Sequence, residues 1–145
     1  MKYKANNFII DGLKAEKIAK KYHTPLYCYS YKDLKKNIDN FKNSFKNVDP
    51  IICFSVKSNS NKFLLKEIGK LGLGADVVSI GELMRSLKSG IKPNKIVFSG
   101  VGKTTNEISY AINQKILLIN TESRSEILEI EKIAKLKKKI VNIGI

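Results

Sequence analysis

From residue 51 onward, short apolar runs alternate with longer amphipathic segments. The runs are rich in Ile, Val and Phe, and they cover residues 51–56, 75–78, 95–98, 116–119 and 140–145. Runs this short, with many β-branched residues, are typical of strands that are buried on both faces of a parallel sheet. The pattern therefore predicts a strand at each run.

The segments between the runs have the pattern of helices. Their apolar residues recur at spacings near three and four, which places these residues on one face of a helix. Three of the segments begin with the sequence S/T-x-x-E, at Ser79, Thr104 and Ser123. In this capping box the hydroxyl accepts a hydrogen bond from an N–H of the first turn, and the glutamate accepts one from the N-cap N–H. Each box lies between an apolar run and a helical pattern, so the caps support the same alternation.

Repeated strand and helix units predict an α/β fold with a parallel sheet. The pattern alone fits both an open doubly wound sheet and a closed barrel. An eight-unit barrel needs roughly 250 residues, whereas this sequence has 145. It supplies about five of the eight units, and its last residues form an apolar run. We therefore interpret it as a split gene product, a remnant or another truncated form of a longer barrel protein.

The first 30 residues do not share this rhythm. We predict a strand over 7–10, a turn at Asp11-Gly12, a helix over 13–22 and a strand over 26–29. Ser30 then caps a helix that runs to about residue 45. We accordingly assign residues 1–30 to a separate N-terminal segment and residues 31–145 to the incomplete barrel domain.

The net charge of +14 raises the question of a nucleic-acid partner. Only Arg85 and Arg124 are arginines, and all the other basic residues are lysines. Readout of bases and bidentate phosphate contacts favour arginine, and the lysines are spread over every predicted helix. We interpret the charge as a solvated, lysine-rich surface and keep a basic nucleic-acid-binding module as an alternative.

Other function classes find little support. Cys28 and Cys53 lie in apolar stretches, and no cysteine or histidine cluster has metal-ligand spacing, so we predict neither a disulfide nor a metal site. No apolar run approaches the roughly 18 residues that a membrane span needs. The N-terminus also lacks the apolar core of a secretory signal. These features predict a cytoplasmic protein.

Lys57 is the first candidate for chemistry. It ends the run 51–56 and is followed by the small polar residues 58–61. In a parallel α/β fold this is the carboxyl end of a strand, where active sites collect. Partial desolvation there can lower the pKa of a lysine and free its amine to attack a carbonyl. Most lysines at strand ends are simply solvated, so the position alone does not assign a function.

Several segments carry a resemblance to a known family. Segment 54–61 (FSVKSNSN) resembles the lysine motif of the fold type III, alanine-racemase-like decarboxylases that use pyridoxal 5'-phosphate. Segments 23–29, 74–83, 95–104 and 120–123 are similar, in the same order, to the diaminopimelate decarboxylase branch. The segment GADVVS-x-GEL (74–83) distinguishes this branch from ornithine decarboxylases. The sequence departs mildly from the family pattern, with Ser58 where alanine is common.

The resemblance implies a TIM-type (β/α)8 barrel together with a β-domain to which residues 1–30 contribute. It implies decarboxylation of meso-2,6-diaminopimelate to L-lysine, with Lys57 binding the cofactor and Asp76 lying beside Lys57 and the cofactor. Ser99 and Gly100, at the next strand end, would line the cofactor site. Asn120 and Glu122 are further candidates for its wall. Asp76 could instead be a turn residue near a helix start, and Glu122 could serve only the following helix.

The resemblance also implies parts that this sequence does not contain. In the family a later arginine, a histidine that stacks on the cofactor, a glycine-rich phosphate loop and a cysteine that acts across a homodimer interface complete the site. We therefore expect no useful activity from this chain alone, unless a second polypeptide supplies the missing part. An inactive remnant and another fold type III decarboxylase or racemase are the alternatives. Gly102-Lys103-Thr104 lacks the full Walker spacing, so we do not predict nucleotide binding.

Overall fold

The computed structural model describes residues 1–145, which form two compact units, Met1–Pro50 and Ile51–Ile145. The first unit has an antiparallel sheet in the order β1-β2-β3 and two helices. Its elements are β1 (Lys2–Lys4), β2 (Asn7–Ile10), β3 (Leu13–Lys14), α1 (Ala15–Tyr22) and α2 (Tyr31–Ser44). None of the helices in the chain is both long enough and apolar enough to cross a membrane.

The turn predicted at Asp11-Gly12 joins β2 and β3. Both residues have positive φ, of 49° and 96°, as a tight hairpin turn between twisted strands requires. The Asp11 carboxylate also accepts hydrogen bonds from the Ser30 hydroxyl at 2.5 Å and from the Lys32 N–H at 3.2 Å. Ser30 accepts in turn from the Asp33 N–H, so the predicted N-cap of α2 is confirmed and is tied to the hairpin.

The sequence prediction was wrong in detail for the first unit. Segment 26–29 forms no strand, because no strand of the sheet pairs with it. The predicted helix over 13–22 begins only at Ala15, since Leu13–Lys14 pairs with β2 as β3. The strand β1 was not predicted, since its residues Lys2–Lys4 are all exposed and show no apolar alternation.

The second unit confirms the predicted alternation of strand and helix. Its strands are β4 (Cys53–Ser55), β5 (Gly74–Val77), β6 (Ile96–Phe98), β7 (Leu118–Asn120) and β8 (Ile143–Gly144). Its helices are α3 (Lys62–Lys70), α4 (Ile80–Lys88), α5 (Thr105–Gln114) and α6 (Arg124–Lys137). Each predicted apolar run overlaps one of these strands, although β5 begins one residue before its run and β7 ends one residue after its run.

The strand order distinguishes the two architectures that the sequence left open. The strands pair in parallel in the order β4-β5-β6-β7-β8, which is also their order along the chain. A doubly wound sheet reverses its order at a switch point, and no reversal occurs here. Because crossovers between parallel strands are right-handed, an order without reversal places every helix on the same side of the sheet. This is the arrangement of a (β/α)8 barrel.

The two faces of this sheet are buried to different extents. Ala75, Val77, Ile96, Phe98 and Ile119 are fully or almost fully buried. The residues that alternate with them, such as Asp76, Val97 and Asn120, are only half-buried. The expectation that both faces are buried is therefore wrong for these residues, since the helices cover only one side of the strands.

All three predicted N-caps form in this unit. The hydroxyls of Ser79, Thr104 and Ser123 each accept a hydrogen bond from the N–H of the glutamate three residues later. Only Thr104 completes the reciprocal box, because the Glu107 carboxylate accepts from the Thr104 N–H at 2.9 Å. Thr104 has a φ of −77°, whereas Ser79 and Ser123 are extended, with φ of −155° and −160°.

The other two glutamates accept a hydrogen bond from the N–H of the residue before the N-cap. Glu82 accepts from the Val78 N–H at 2.9 Å and Glu126 accepts from the Glu122 N–H at 2.8 Å. At both serine N-caps the backbone is extended. Rotation about φ changes the direction of the preceding peptide group, which carries the N-cap N–H, and the glutamate has a different partner there. The predicted reciprocal bond is therefore wrong at these two sites, where the glutamate binds the N–H of the residue before the N-cap.

Acidic side chains also link consecutive strand and helix units. Glu107, in the first turn of α5, accepts from the N–H of Ile80 in α4 at 3.2 Å. Glu122, after β7, accepts from the N–H of Gly100 after β6 at 3.3 Å. These bonds fix the loops at the carboxyl end of the sheet relative to one another.

The contacts place the division between the two units at residues 50 and 51, so that α2 lies with the N-terminal strands. The division that we predict from the sequence, between residues 30 and 31, concerns membership of the barrel domain. It stays a prediction.

Candidate functional site

Lys57 lies directly beyond the carboxyl end of β4. It is the central residue of a single 3-10 turn, Val56–Ser58, which the Ser58 hydroxyl closes by donating to the Ser55 carbonyl at 2.7 Å. The Asn61 side chain then caps α3 by accepting from two N–H groups of its first turn. Because both ends of the connection are fixed, the backbone that carries Lys57 has a defined position.

The side chain of Lys57 is accessible. Residue Lys57 is exposed, and its ammonium takes part in none of the ion pairs of the chain. The partial desolvation that the sequence suggested for this lysine is therefore not observed. An exposed amine without a carboxylate partner is free to approach an added carbonyl compound.

Asp76 lies on β5, the neighbouring strand, and it is half-buried. Its carboxylate accepts a short hydrogen bond of 2.6 Å from the Ser99 hydroxyl and a longer one of 3.4 Å from the Ser55 hydroxyl. Hydrogen bonds to a charged acceptor are stronger than those between neutral groups. The carboxylate is therefore held in one orientation by the strands on both sides.

The pKa of the Cys53 thiol is affected by its burial and by the Asp76 carboxylate. Burial first, and the nearby Asp76 carboxylate second, raise the pKa of Cys53 above its usual value, although Lys95 opposes them. A nearby negative charge disfavours ionisation of a thiol to the thiolate. The Cys53 thiol is therefore held in its protonated form to a higher pH than an ordinary cysteine.

Asn120 extends the hydrogen bonding to a fourth strand. Its side-chain amide donates to the Ser99 hydroxyl at 3.0 Å, while Ser99 donates to Asp76. We call Ser55, Asp76, Ser99 and Asn120 the strand-end polar chain. These side chains lie on β4, β5, the residue after β6, and β7, so the structure brings together residues that are far apart in sequence.

Gly100 and Glu122 belong to the loops beside the strand-end polar chain. Gly100 has a φ of 91°, a conformation in which glycine is favoured, and a Cβ there would lie 3.3 Å from the Cβ of Val78. The exposed Glu122 accepts from the Gly100 N–H. The Glu122 side chain thus contacts a neighbouring loop, while its backbone N–H donates to Glu126 in the helix that follows.

The sequence reasoning named Asp76, Ser99 and Asn120 but missed Ser55. A signal was available, because each of the four is a polar residue at or next to the end of consecutive apolar strands. Ser55 lies inside the apolar run 51–56, so the sequence pattern indicates a strand residue and not a member of the site. Its pairing with Asp76 follows from the register, in which these two residues are direct partners.

Cavity size does not single out this location. A cavity of about 630 Å³ lies beside the loops after β6 and β7 and is lined by residues such as Val101, Lys103 and Glu122. A smaller one of about 460 Å³ lies between α6 and β8. Neither is lined by a member of the strand-end polar chain. No group of three or more His, Cys, Asp and Glu side chains is placed to hold a metal ion. Chemistry, rather than volume, identifies the strand ends as the candidate site.

Comparison with known families gives a match over most of the chain. Residues 31–144 match the family described as "Pyridoxal-dependent decarboxylase, pyridoxal binding domain". Diaminopimelate decarboxylase of Aquifex aeolicus is 41% identical over 140 residues, which cover 96% of this chain and 33% of that protein. The enzyme of Helicobacter pylori strain J99 is 48% identical over 119 residues, which cover 82% of this chain and 29% of that protein. The chain thus spans about a third of the length of these curated relatives.

Solved structures show the same fold. Diaminopimelate decarboxylase from M. jannaschii in complex with L-lysine superposes with a TM-score of 0.94 at 36% identity, covering 99% of this chain and 34% of that one. The H. pylori enzyme in complex with L-lysine gives a TM-score of 0.85 at 43% identity, covering 88% of this chain and 32% of that one. These likenesses confirm the partial barrel expected from the sequence.

Proposed function

The chain belongs to the pyridoxal-dependent decarboxylase family, within its diaminopimelate decarboxylase branch, and from this premise we propose that it forms the lysine-bearing part of a site that decarboxylates meso-diaminopimelate to L-lysine. The observation that carries the proposal is the position of Lys57 beyond β4, next to a strand whose carboxylate is held at the same end of the sheet. Relatives of the same fold have been crystallised with L-lysine, which is the product of this reaction.

The side chains present at the strand ends fit the aldehyde end of pyridoxal phosphate. Lys57 offers an exposed amine that takes part in no ion pair, and Asp76 offers a half-buried carboxylate with a fixed orientation. When bound, pyridoxal phosphate supplies an electron sink for the electrons that remain when a carboxylate leaves. In this assignment Lys57 binds the cofactor covalently, and Ser99 and Gly100 line its site.

Asp76 has a separate role in the proposal. With the cofactor bound, the negative charge of Asp76 would favour a proton on an adjacent nitrogen. Ser55 and Ser99 orient its carboxylate for this purpose. These two serines are positioning residues, since they act through Asp76.

The first experiment is covalent trapping. The purified chain is incubated with pyridoxal phosphate, reduced with borohydride and digested, and the labelled lysines are located by mass spectrometry. We expect label concentrated on Lys57, lost in Lys57→Ala and unchanged in Lys62→Ala, a matched control at another exposed position five residues later. We also expect Asp76→Asn to reduce the labelling of Lys57.

The distribution of label decides between the proposal and the remnant. Label spread evenly over many lysines, or the same labelling of Lys57 in a chain unfolded by urea, would show that no site is formed. The chain would then be better described as an inactive remnant of the family.

Substrate class is tested by release of labelled carbon dioxide from meso-diaminopimelate, L-ornithine and L-arginine. Because this chain spans about a third of its relatives, we expect release at background for all three substrates. Faster release from ornithine or arginine than from diaminopimelate would overturn the proposed substrate. Turnover of diaminopimelate would overturn the expectation that the chain is inactive alone.

A further inference from the structure

Lys103 is a buried lysine whose ammonium is fully occupied. Its side chain is only 1% exposed and pairs with Glu126, whose side chain is 8% exposed. The ammonium donates to the Gly100 and Asn120 carbonyls, each at 2.7 Å, and to the Glu126 carboxylate at 3.1 Å. A lysine ammonium has three donors, so each of them has a partner.

The two carbonyls that Lys103 binds belong to two different strand ends of the candidate site. Gly100 follows Ser99 at the end of β6, and Asn120 is the last residue of β7. The side chains of Ser99 and Asn120 are hydrogen-bonded to each other at 3.0 Å. One ammonium therefore holds the backbones of the two strand ends at the spacing that this side-chain bond requires.

Glu126 anchors the ammonium from the helix side. One carboxylate oxygen accepts from Lys103 and the other accepts from the Glu122 N–H at 2.8 Å. The Phe98 ring lies 5.7 Å from the ammonium, measured to the ring centroid. Lys103 is thus enclosed by β6, β7 and α6 and has no donor left for a ligand.

Stability alone does not account for such a pair. Replacing a buried ion pair by apolar side chains of similar volume is often neutral or stabilising. Hydrogen bonds, in contrast, weaken steeply when their atoms are displaced from a narrow range of distance and angle. A charged residue below the loops is therefore useful where the separation of two strand ends must be fixed closely.

We propose that Lys103, held by Glu126, is a positioning residue for the strand-end polar chain: it fixes the spacing of β6 and β7 and so sets the orientation of the Asp76 carboxylate through Ser99 and Asn120. The inference deepens the proposed function and rests on it only for the role of Asp76 beside Lys57. The bonds themselves are properties of the chain without cofactor.

The test uses the isotope-labelled chain without cofactor and follows two NMR signals. One is the hydrogen exchange of the Asn120 side-chain amide, assigned by its loss in Asn120→Ala. The other is the carboxyl carbon of Asp76, assigned by its loss in Asp76→Asn. The exposed Asn106 provides an internal reference for an unbonded amide. We expect the Asn120 amide to exchange about fivefold more slowly than that of Asn106, as a net stabilising hydrogen bond predicts.

The main variant is Lys103→Met combined with Glu126→Gln, which removes both charges and avoids leaving one of them buried without a partner. The control is Ile68→Ala. Ile68 is fully buried on α3, and its apolar side chain forms no hydrogen bond with Lys103, Glu126 or the strand-end polar chain. We expect the double variant to bring Asn120 exchange to the level of Asn106 and to shift the Asp76 signal. Ile68→Ala should leave both signals unchanged although it lowers the melting temperature.

Cofactor trapping adds a second readout to the same variants. Labelling of Lys57 per folded molecule should fall to a similar extent in the Lys103→Met/Glu126→Gln variant and in Asn120→Ala. Their combination should cost no more than either alone, because residues that act through one another are not additive.

The two readouts separate the two proposals. Wild-type values of Asn120 exchange and of the Asp76 signal in the double variant would show that Lys103 has a structural role only, and would overturn the inference. Absence of label on Lys57 in the wild-type chain would overturn the proposed function, while the NMR signals would still decide the role of Lys103.

Discussion

Gly74, the first residue of β5, has no space for a side chain. A Cβ at this position would lie 2.0 Å from the carbonyl oxygen of Lys95 and 2.9 Å from the sulfur of Cys53. The oxygen belongs to the backbone leading into β6, so it cannot rotate away as a flexible side chain could. The substitution Gly74→Ala would therefore push β5 and the neighbouring backbone apart.

The size of the effect follows from this overlap. Overpacking of a core by a methyl group typically costs about 1–3 kcal/mol, and occasionally more. We take about 3 kcal/mol here, at the upper end of that range, because backbone must move. For a protein of this size about 1 kcal/mol changes the melting temperature by roughly 3–4 °C, so we expect Gly74→Ala to lower it by about 9–12 °C.

Gly81→Ala is the matched control. A Cβ at Gly81 has only the Ser79 hydroxyl oxygen nearby, at 3.8 Å, and the residue lies within α4. Alanine in a helix is more stable than glycine by roughly 0.5–1 kcal/mol, so this variant should melt about 2–4 °C higher than wild type. Thermal melts followed by circular dichroism compare the three proteins.

Two results would refute the reasoning about Gly74. A melting temperature of Gly74→Ala within about 2 °C of wild type would show that the sheet accommodates the methyl group. Because Asp76 lies two residues further along β5, we also expect weaker trapping of pyridoxal phosphate on Lys57. A large loss of stability with unchanged trapping would show that the position of β5 does not control the site.

Two further predictions concern single side chains. Hydrogen bonds, first from the Thr104 N–H and then from the Thr104 hydroxyl and the Ile80 N–H, lower the pKa of Glu107 below its ordinary value of 4.5. The folded state therefore favours the ionised carboxylate, and this stabilisation is complete above about pH 4.5 and lost as the pH falls through the lower folded-state pKa. Glu107→Gln should melt below wild type at neutral pH, with a difference that disappears in acid; a difference that is independent of pH would contradict this. In Gly144→Ala, the new Cβ would lie 2.3 Å from the side-chain oxygen of Asn120, so Asn120 should swing away from Ser99 and its side-chain amide should exchange faster by NMR, and unchanged exchange would count against the observed packing.

The sequence predicted the architecture of the second unit because one simple property repeats there. Apolar runs alternate with helical patterns, and the caps at Ser79, Thr104 and Ser123 mark the junctions. The choice between a barrel and a doubly wound sheet could not be made in this way, since it depends on which strands pair. In the first unit, β1 and β3 are held by pairing with β2 and carry no apolar alternation of their own.

The sequence named Asp76, Ser99 and Asn120 as candidates, but neither Ser55 nor the hydrogen bonds that connect the four residues. Lys57 and Asp76 stand at recognisable strand ends, and the resemblance to the family gave them their proposed roles. The bond between Asn120 and Ser99 joins residues separated by 21 positions, and no local pattern reveals it. Lys103 was set aside because its sequence context suggested only an incomplete phosphate loop. Its burial depends on the packing of β6, β7 and α6 around it.

The hydrogen bonds that link successive strand and helix pairs also bear on how the protein is synthesised. Asp76 and Ser99 are 23 residues apart, Gly100 and Glu122 are 22 apart, and Ile80 and Glu107 are 27 apart. Each bond thus joins a loop to the unit that is synthesised next, and none of them waits for a distant part of the chain. The N-terminal end of a polypeptide leaves the ribosome first. Every new strand and helix of this sheet therefore meets a partner that is already in place. The barrel wall can therefore be assembled in the order of translation.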